Sequence, residues 1–177
     1  MKVNNIKNNI LILGQVYIDL MLTSSERKKL RFGGIVHSAR TLWALDENYS
    51  VAYFGPNYLD NQLNKYLSEL GCENIYNIGI IEGAPNIQLI SYIKETKKQI
   101  YEDLLFEHRK HNFDIMKFQK LLKENNFQKT LVFPDDMNIE QILEVLSTYD
   151  TKVFIDINYL EIDVLKRYNK KIDTLII

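Results

Sequence analysis

Cysteine is nearly absent from this 177-residue sequence. Cys72 stands alone, which excludes an intrachain disulfide and a zinc site built on cysteines. It follows Gly71 at an expected helix end, where a small, partly buried side chain is the simplest reading. No apolar run approaches the roughly 20 residues of a membrane-spanning helix. The opening stretch MKVNNIKNN is polar and lacks the apolar segment of a secretion signal, so a cytoplasmic location is expected. An excess of one charge is also missing: 22 basic residues against 23 acidic leave a net charge of −1. That balance gives no reason to expect nucleic acid or an acidic membrane surface as partner. The longest basic run, ERKKLR from Glu26 to Arg31, reads as a solvated turn or strand edge. Glycines number only seven, and Gly14 belongs to no G-x-G-x-x-G loop, which speaks against a Rossmann-like dinucleotide site.

What remains is the ordinary balance of a soluble globular domain, 46% hydrophobic and 25% charged. The length suffices for one domain with a sizeable core. NILILG, ended by Gly14, is a short continuous apolar run, as expected of a buried central strand. VYIDLMLT continues it with alternation, and KKLRF predicts another short strand. After Gly33-Gly34, the residues Ile35, Ala39, Leu42 and Trp43 recur at helical spacing, which predicts a helix to Asp46 with Trp43 in the core. SVAYFG reads as a second buried strand. Asp60 is placed to cap the next helix, whose apolar face is Leu63, Tyr66, Leu67 and Leu70, and Gly71 to end it. The β-α-β-α succession predicts a parallel sheet with crossover helices.

The middle is β-rich. IYNIGII, IQLISYIKE and KKQIYEDLL, with turn signals at Gly83-Ala84-Pro85 and Glu95-Thr96-Lys97, predict a meander or hairpin beside the main sheet. Helical patterns return over 114–125, 139–146 and 160–168, alternating with the strand-like runs TLVFP, KVFIDIN and IDTLII. Asp136 or Asn138 is expected to cap the second of these helices.

In this order, the motifs resemble the PfkB, or ribokinase-like, family of carbohydrate and nucleoside kinases. ILGQVYIDLML is similar to the family's opening strand-turn-strand with its aspartate. FGGIVHSARTLWAL resembles the Gly-Gly signature, VAYFGPNYLDNQLNKYLSELGCENIY the strand, acidic turn and helix, and GAPNIQLISYIKETKKQIYED the strands around the sugar site. VFIDINYLEIDVL resembles the late strand with its Asp-x-Asn ending. The resemblance implies an α/β fold: a three-layer α/β/α sandwich with a small β lid from segments near 17–32 and 87–103. It covers residues 1–177 as a partial domain, cut before the C-terminal half, because the chain stops inside the strand IDTLII. Lid strands of this family often pair between subunits, which leaves room for a homodimer.

The resemblance assigns substrate contacts to Asp19, Gly33, Gly34 and Ser38. A carboxylate at position 19 accepts two hydroxyl donors, and a glycine pair removes bulk where a polyol would lie on the backbone. The bland alternatives are a solvent-facing Asp19 on an alternating strand and a plain turn at the glycines. Ser38 stands where the family has asparagine, Tyr17 where many members have another, and Leu63 where a glycine is usual. These departures imply a divergent pocket. Asp156 and Asn158, at the carboxyl end of a predicted strand, fall toward the family's nucleotide and magnesium side, with a cap or turn role as the even alternative. Asp135 and Asp136 lie at another such end. His37 beside the glycines is a candidate to line the pocket. His108 and His111 are three apart but lack a third ligand, so a surface pair and no metal site is expected.

ATP and Mg2+ are implied by the resemblance alone. The family transfers the ATP γ-phosphoryl group to a substrate hydroxyl, using a Gly-Ala-Gly-Asp motif at a helix start. None of the glycines, at 14, 33, 34, 55, 71, 79 and 83, belongs to such a motif. The expected function is therefore the substrate-binding part of an ATP-dependent carbohydrate kinase, inactive as it stands. The alternative is a non-catalytic sugar- or nucleoside-binding or regulatory protein on the same fold.

Overall fold

The computed structural model describes residues 9–22, 29–83, 87–93, 98–103, 110–134, 138–156 and 162–176. Its spine is β1 (Ile10–Leu22), a single 13-residue strand where a strand-turn-strand is expected. The first half, Ile10–Gln15, runs parallel to β3 (Tyr49–Gly55) and the second, Val16–Met21, antiparallel to β2 (Lys29–Gly34). One strand therefore belongs to two sheets.

The main sheet has the order β10-β9-β8-β1-β3-β4-β7. Here β4 is Ile75–Glu82, β7 Lys110–Phe113, β8 Lys129–Phe133, β9 Lys152–Asp156 and β10 Ile172–Ile176. All its pairings are parallel except the edge strand β7, which runs antiparallel to β4. The small sheet has β2 on one side of β1, and β5 (Ile87–Ile93) with β6 (Lys98–Asp103) on the other. Of the predicted meander only β5–β6 forms a hairpin, held to β1 by parallel pairing from Ile18 to Leu22, whereas IYNIGII is β4, parallel to β3 in the main sheet. The strand β7 comes from FEHRKHNF, where a surface histidine pair is expected; His108 lies outside the described residues.

The apolar runs follow from burial on both faces of the main sheet. Leu11 and Leu13 point into one core with Ile78, Phe118, Leu122, Ile142 and Leu146. Ile10 and Ile12 point into the other with Ile35, Val36, Ala39, Leu63 and Leu67. Helices α1 (Ile35–Ala44) and α2 (Asp60–Glu69) cover this second face. The first is covered by α3 (Ile115–Glu124), α4 (Ile139–Ser147) and α5 (Ile162–Arg167). The result is the expected three-layer α/β/α sandwich. No helix of the described residues is long and apolar enough to cross a membrane.

Helix ends are largely set by local chemistry. Asp114 caps α3 by accepting from the Lys117 N–H, and Asn138 caps α4 by accepting from Gln141. Gly71 takes φ 70° after α2, and the Cys72 and Gly71 amides donate back to Leu67 and Ser68, a Schellman ending. Two expectations fail. Asp60 is the first residue of α2 rather than its cap: its carboxylate accepts from Tyr53 Oη at 2.9 Å and from Asn77 Nδ2, tying the helix to β3 and β4. Trp43 is 55% exposed, not core. Ala39 and Leu42 already fill the stripe of α1 that meets the sheet, and position 43 turns out of it.

Candidate active-site cleft

In an open parallel sheet, ligands settle outside the carboxyl ends of the strands where the strand order reverses. Here that point is β1. The chain leaves β1 for β3 and β4 on one side, then returns to β8 and β9 on the other. A cavity of about 360 Å³ opens there. Its floor is Gln15 on β1, Phe133 and Pro134 at the end of β8, and Asp156 at the end of β9. Gly34, Ile35, His37 and Ser38 at the start of α1 form one wall. Tyr17 and Gln88, from the small sheet, complete it.

Of the expected site residues, the structure brings Gly34 and Ser38 from the substrate set, and Asp156 from the nucleotide side, to this cavity. Asn158, Asp135 and Asp136 lie outside the described residues. Asp19 and Gly33 do not line the cavity, and the reason is specific. Asp19 is opposite Arg31 in the β1–β2 pairing, and its side chain leans diagonally across Gly33. A Cβ on Gly33 would stand 2.1 Å from Asp19 Oδ1. The space left by Gly33 is therefore filled by the protein's own carboxylate, where a polyol is expected. Gly34 serves a different need: its φ of 59° and ψ of −132° disfavour a side chain, and a Cβ would stand 2.5 Å from the Gln15 carbonyl oxygen. This glycine makes the corner that sends β2 into α1 beside β1.

Asp19 is 1% exposed, and neither a solvent-facing role nor direct lining of the cavity describes it. Its Oδ2 meets His37 Nε2 at 2.9 Å and Arg31 Nε at 3.5 Å. The other ring nitrogen of His37, Nδ1, lies 3.2 Å from Arg40 Nη1. A guanidinium can only donate, so Nδ1 accepts and Nε2 carries the proton donated to Asp19. Arg40 is itself fixed by donating to Tyr66 Oη and the Phe32 carbonyl, with its guanidinium over the Tyr66 ring. An Asp19–His37–Arg40–Tyr66 chain thus joins β1, α1 and α2 along the rim of the cleft.

Gln15 and Gln88 are the residues sequence reasoning missed. The available signal at Gln15 was a polar residue inserted in an apolar strand directly after Gly14. Among the described residues no group of three or more His, Cys, Asp or Glu side chains could hold a metal ion. The tyrosines behind the site are structural: burial raises the pKa of Tyr53, reinforced by its bond to Asp60, and burial likewise raises that of Tyr49.

Comparison with solved structures decides what this architecture is. A PfkB-family carbohydrate kinase from Listeria grayi matches 95% of this chain with a TM-score of 0.63 at 14% identity. This is the PfkB kinase fold. A sugar kinase from Pyrococcus horikoshii matches 92% at a TM-score of 0.60 and 14% identity. A Burkholderia thailandensis nucleoside kinase in complex with inosine matches 94% at 0.64 and 13% identity. The chain spans 60%, 57% and 58% of those three proteins respectively. No protein-family model matches the sequence, and no curated protein is similar to it by sequence. At such identities the PfkB likeness establishes the fold, and the side chains of the cleft must carry any functional reading.

Proposed function

We propose that this chain is the substrate-binding part of a PfkB-type, ATP-dependent carbohydrate kinase, and that it holds a sugar or nucleoside without phosphorylating it alone. The supporting observation is the cavity at the switch point of the sheet, with Ser38, Gly34 and Asp156 converging on it from α1 and β9. Ser38 supplies a hydroxyl that both donates and accepts, and Gly34 a backbone free of side-chain bulk. The strands of the small sheet act as the lid, whose edge strand is suited to pairing with a second copy. Asn158 belongs with Asp156 on the nucleotide side in this reading.

ATP and Mg2+ are another matter. The described residues contain no candidate metal cluster, and the sequence has no Gly-Ala-Gly-Asp motif to cradle phosphates. Asp156 alone does not make a nucleotide site, so no phosphoryl-transfer step is assigned to these residues. One observation favours the alternative of a non-catalytic binding protein: Asp19 is held by His37 and Arg31. Its Oδ2 is engaged by those two side chains and the carboxylate is buried, which leaves it poorly placed to meet a substrate hydroxyl.

Calorimetric titration of the 177-residue chain with sugars and nucleosides, with and without MgATP, tests the reading. Saturable binding without ADP release is expected, weakened about 5- to 20-fold by Ser38→Ala for the loss of a hydrogen bond. Binding of no member of the panel overturns the substrate-site assignment.

A further inference from the structure

Gln15 is 1% exposed, and neither Oε1 nor Nε2 has a hydrogen-bond partner among the described residues. A buried primary amide with both ends unsatisfied is costly, and such a group in a native fold asks for an explanation. It lies on the floor of the switch-point cavity, where Ser38 and Gln88 also present groups that donate and accept. The charges there are distinctive. Among the described residues, no lysine or arginine lines the cavity, and Asp156 brings a negative charge. Among the described residues His37 is the one basic side chain in the lining, and its ring nitrogens meet Asp19 and Arg40.

We infer that Gln15 is a specificity-determining residue and that the cavity selects an uncharged vicinal diol over carboxylated or phosphorylated sugars. The inference rests on the substrate-site reading above and narrows it. Adjacent hydroxyls satisfy an amide in both directions, one donating to Oε1 and the other accepting from Nε2. A carboxylate or phosphate lying against Gln15 offers only acceptors at neutral pH, leaves Oε1 unpaired, and finds no lysine or arginine among the described lining residues. A phosphorylated or carboxylated sugar keeps other hydroxyls, so the discrimination comes from the anionic group displacing one of the two that Gln15 needs.

The test is a calorimetric panel on the 177-residue chain and its Gln15→Leu and Gln15→Met variants. The probes are D-ribose with ribose 5-phosphate, D-glucose with gluconate and glucose 6-phosphate, and inosine with inosine 5′-monophosphate. At least one uncharged parent is expected to bind about 10-fold or more tightly than its anionic counterparts. The Gln15 variants are expected to weaken that parent about 10- to 100-fold, the loss of one or two hydrogen bonds to a buried amide. Their unliganded melting temperature is expected to stay level or rise, because an unsatisfied amide is replaced by an apolar group. Met keeps the unbranched shape should the branched Leu fail to fold. An anionic probe binding as tightly as its parent overturns the inference while leaving the substrate site standing. Both fall together if no probe binds, and a melting temperature lowered in both variants overturns the role of Gln15.

Discussion

Gly33→Ala is the most informative single change. The backbone of Gly33 lies outside the left-handed region, so alanine carries no conformational strain there, and the whole effect comes from bulk. The new methyl would stand 2.1 Å from Asp19 Oδ1, 2.5 Å from Cγ and 2.7 Å from Oδ2. Those atoms belong to a short, buried side chain, so the carboxylate must rotate away from His37 and Arg31. Overpacking of a filled site costs about 1–3 kcal/mol. The pairing lost adds about 1 kcal/mol, kept low because His37 and Arg31 are roughly half exposed and screened. The sum, about 2–4 kcal/mol, corresponds to a melting temperature lowered by about 4–16 °C in a domain of this size. Denaturant unfolding of a double-mutant cycle isolates the cause. In an Asp19→Ala background the three atoms that the methyl would meet first are gone, and Gly33→Ala should then cost less than about 1 kcal/mol. Equal costs in both backgrounds would refute the claim that Gly33 exists to house Asp19.

Further outcomes follow from neighbouring geometry. Gly34→Ala combines a positive φ with a 2.5 Å approach to the Gln15 carbonyl, and should destabilise by about 2–4 kcal/mol in urea unfolding; a loss under 0.5 would contradict the corner geometry. Asn138→Ala removes the cap of α4 and should cost about 1 kcal/mol by the same assay, with Asn138→Asp retaining most of it. Desolvation pushes the Cys72 thiol up to about 12, so labelling by iodoacetamide at pH 8 should be much slower than for a free thiol until the protein is unfolded. The sign for stability is set by the same shift. The folded state keeps the proton that the unfolded state releases from about pH 9, so the contribution is full below that value and lost as pH rises toward 12; burial of Tyr49 and Tyr53 acts in the same direction. Unfolding midpoints that hold level between pH 8.5 and about 11 would contradict this.

Particular residues show where sequence reasoning succeeds and where it stops. Leu11, Ile12 and Leu13 announce a strand covered on both faces, because only such a strand has apolar residues at successive positions. The stripes of α2 and α3 and the glycine ending of α2 are local signals for the same reason: periodicity and φ preference act within a few residues. The order of elements was legible, and with it the three-layer sandwich. Trp43 was misread since spacing defines a stripe but not its edges, which depend on how α1 is rolled against the sheet. Asp60 was misread since a capping preference competes with Tyr53 and Asn77, which come from strands that only the fold brings near.

The candidate site divides in the same way. By itself the sequence determined that Gly33 and Gly34 directly precede a helix and that Asp156 closes a strand, because these are properties of short segments. Only the tertiary structure decided that Gly34, Ser38 and Asp156 share a cavity with Gln15 and Gln88, and that Asp19 turns instead to His37 and Arg31. Which side chain fills the space beside a glycine depends on strand register, and register is a relation between segments that no single segment encodes.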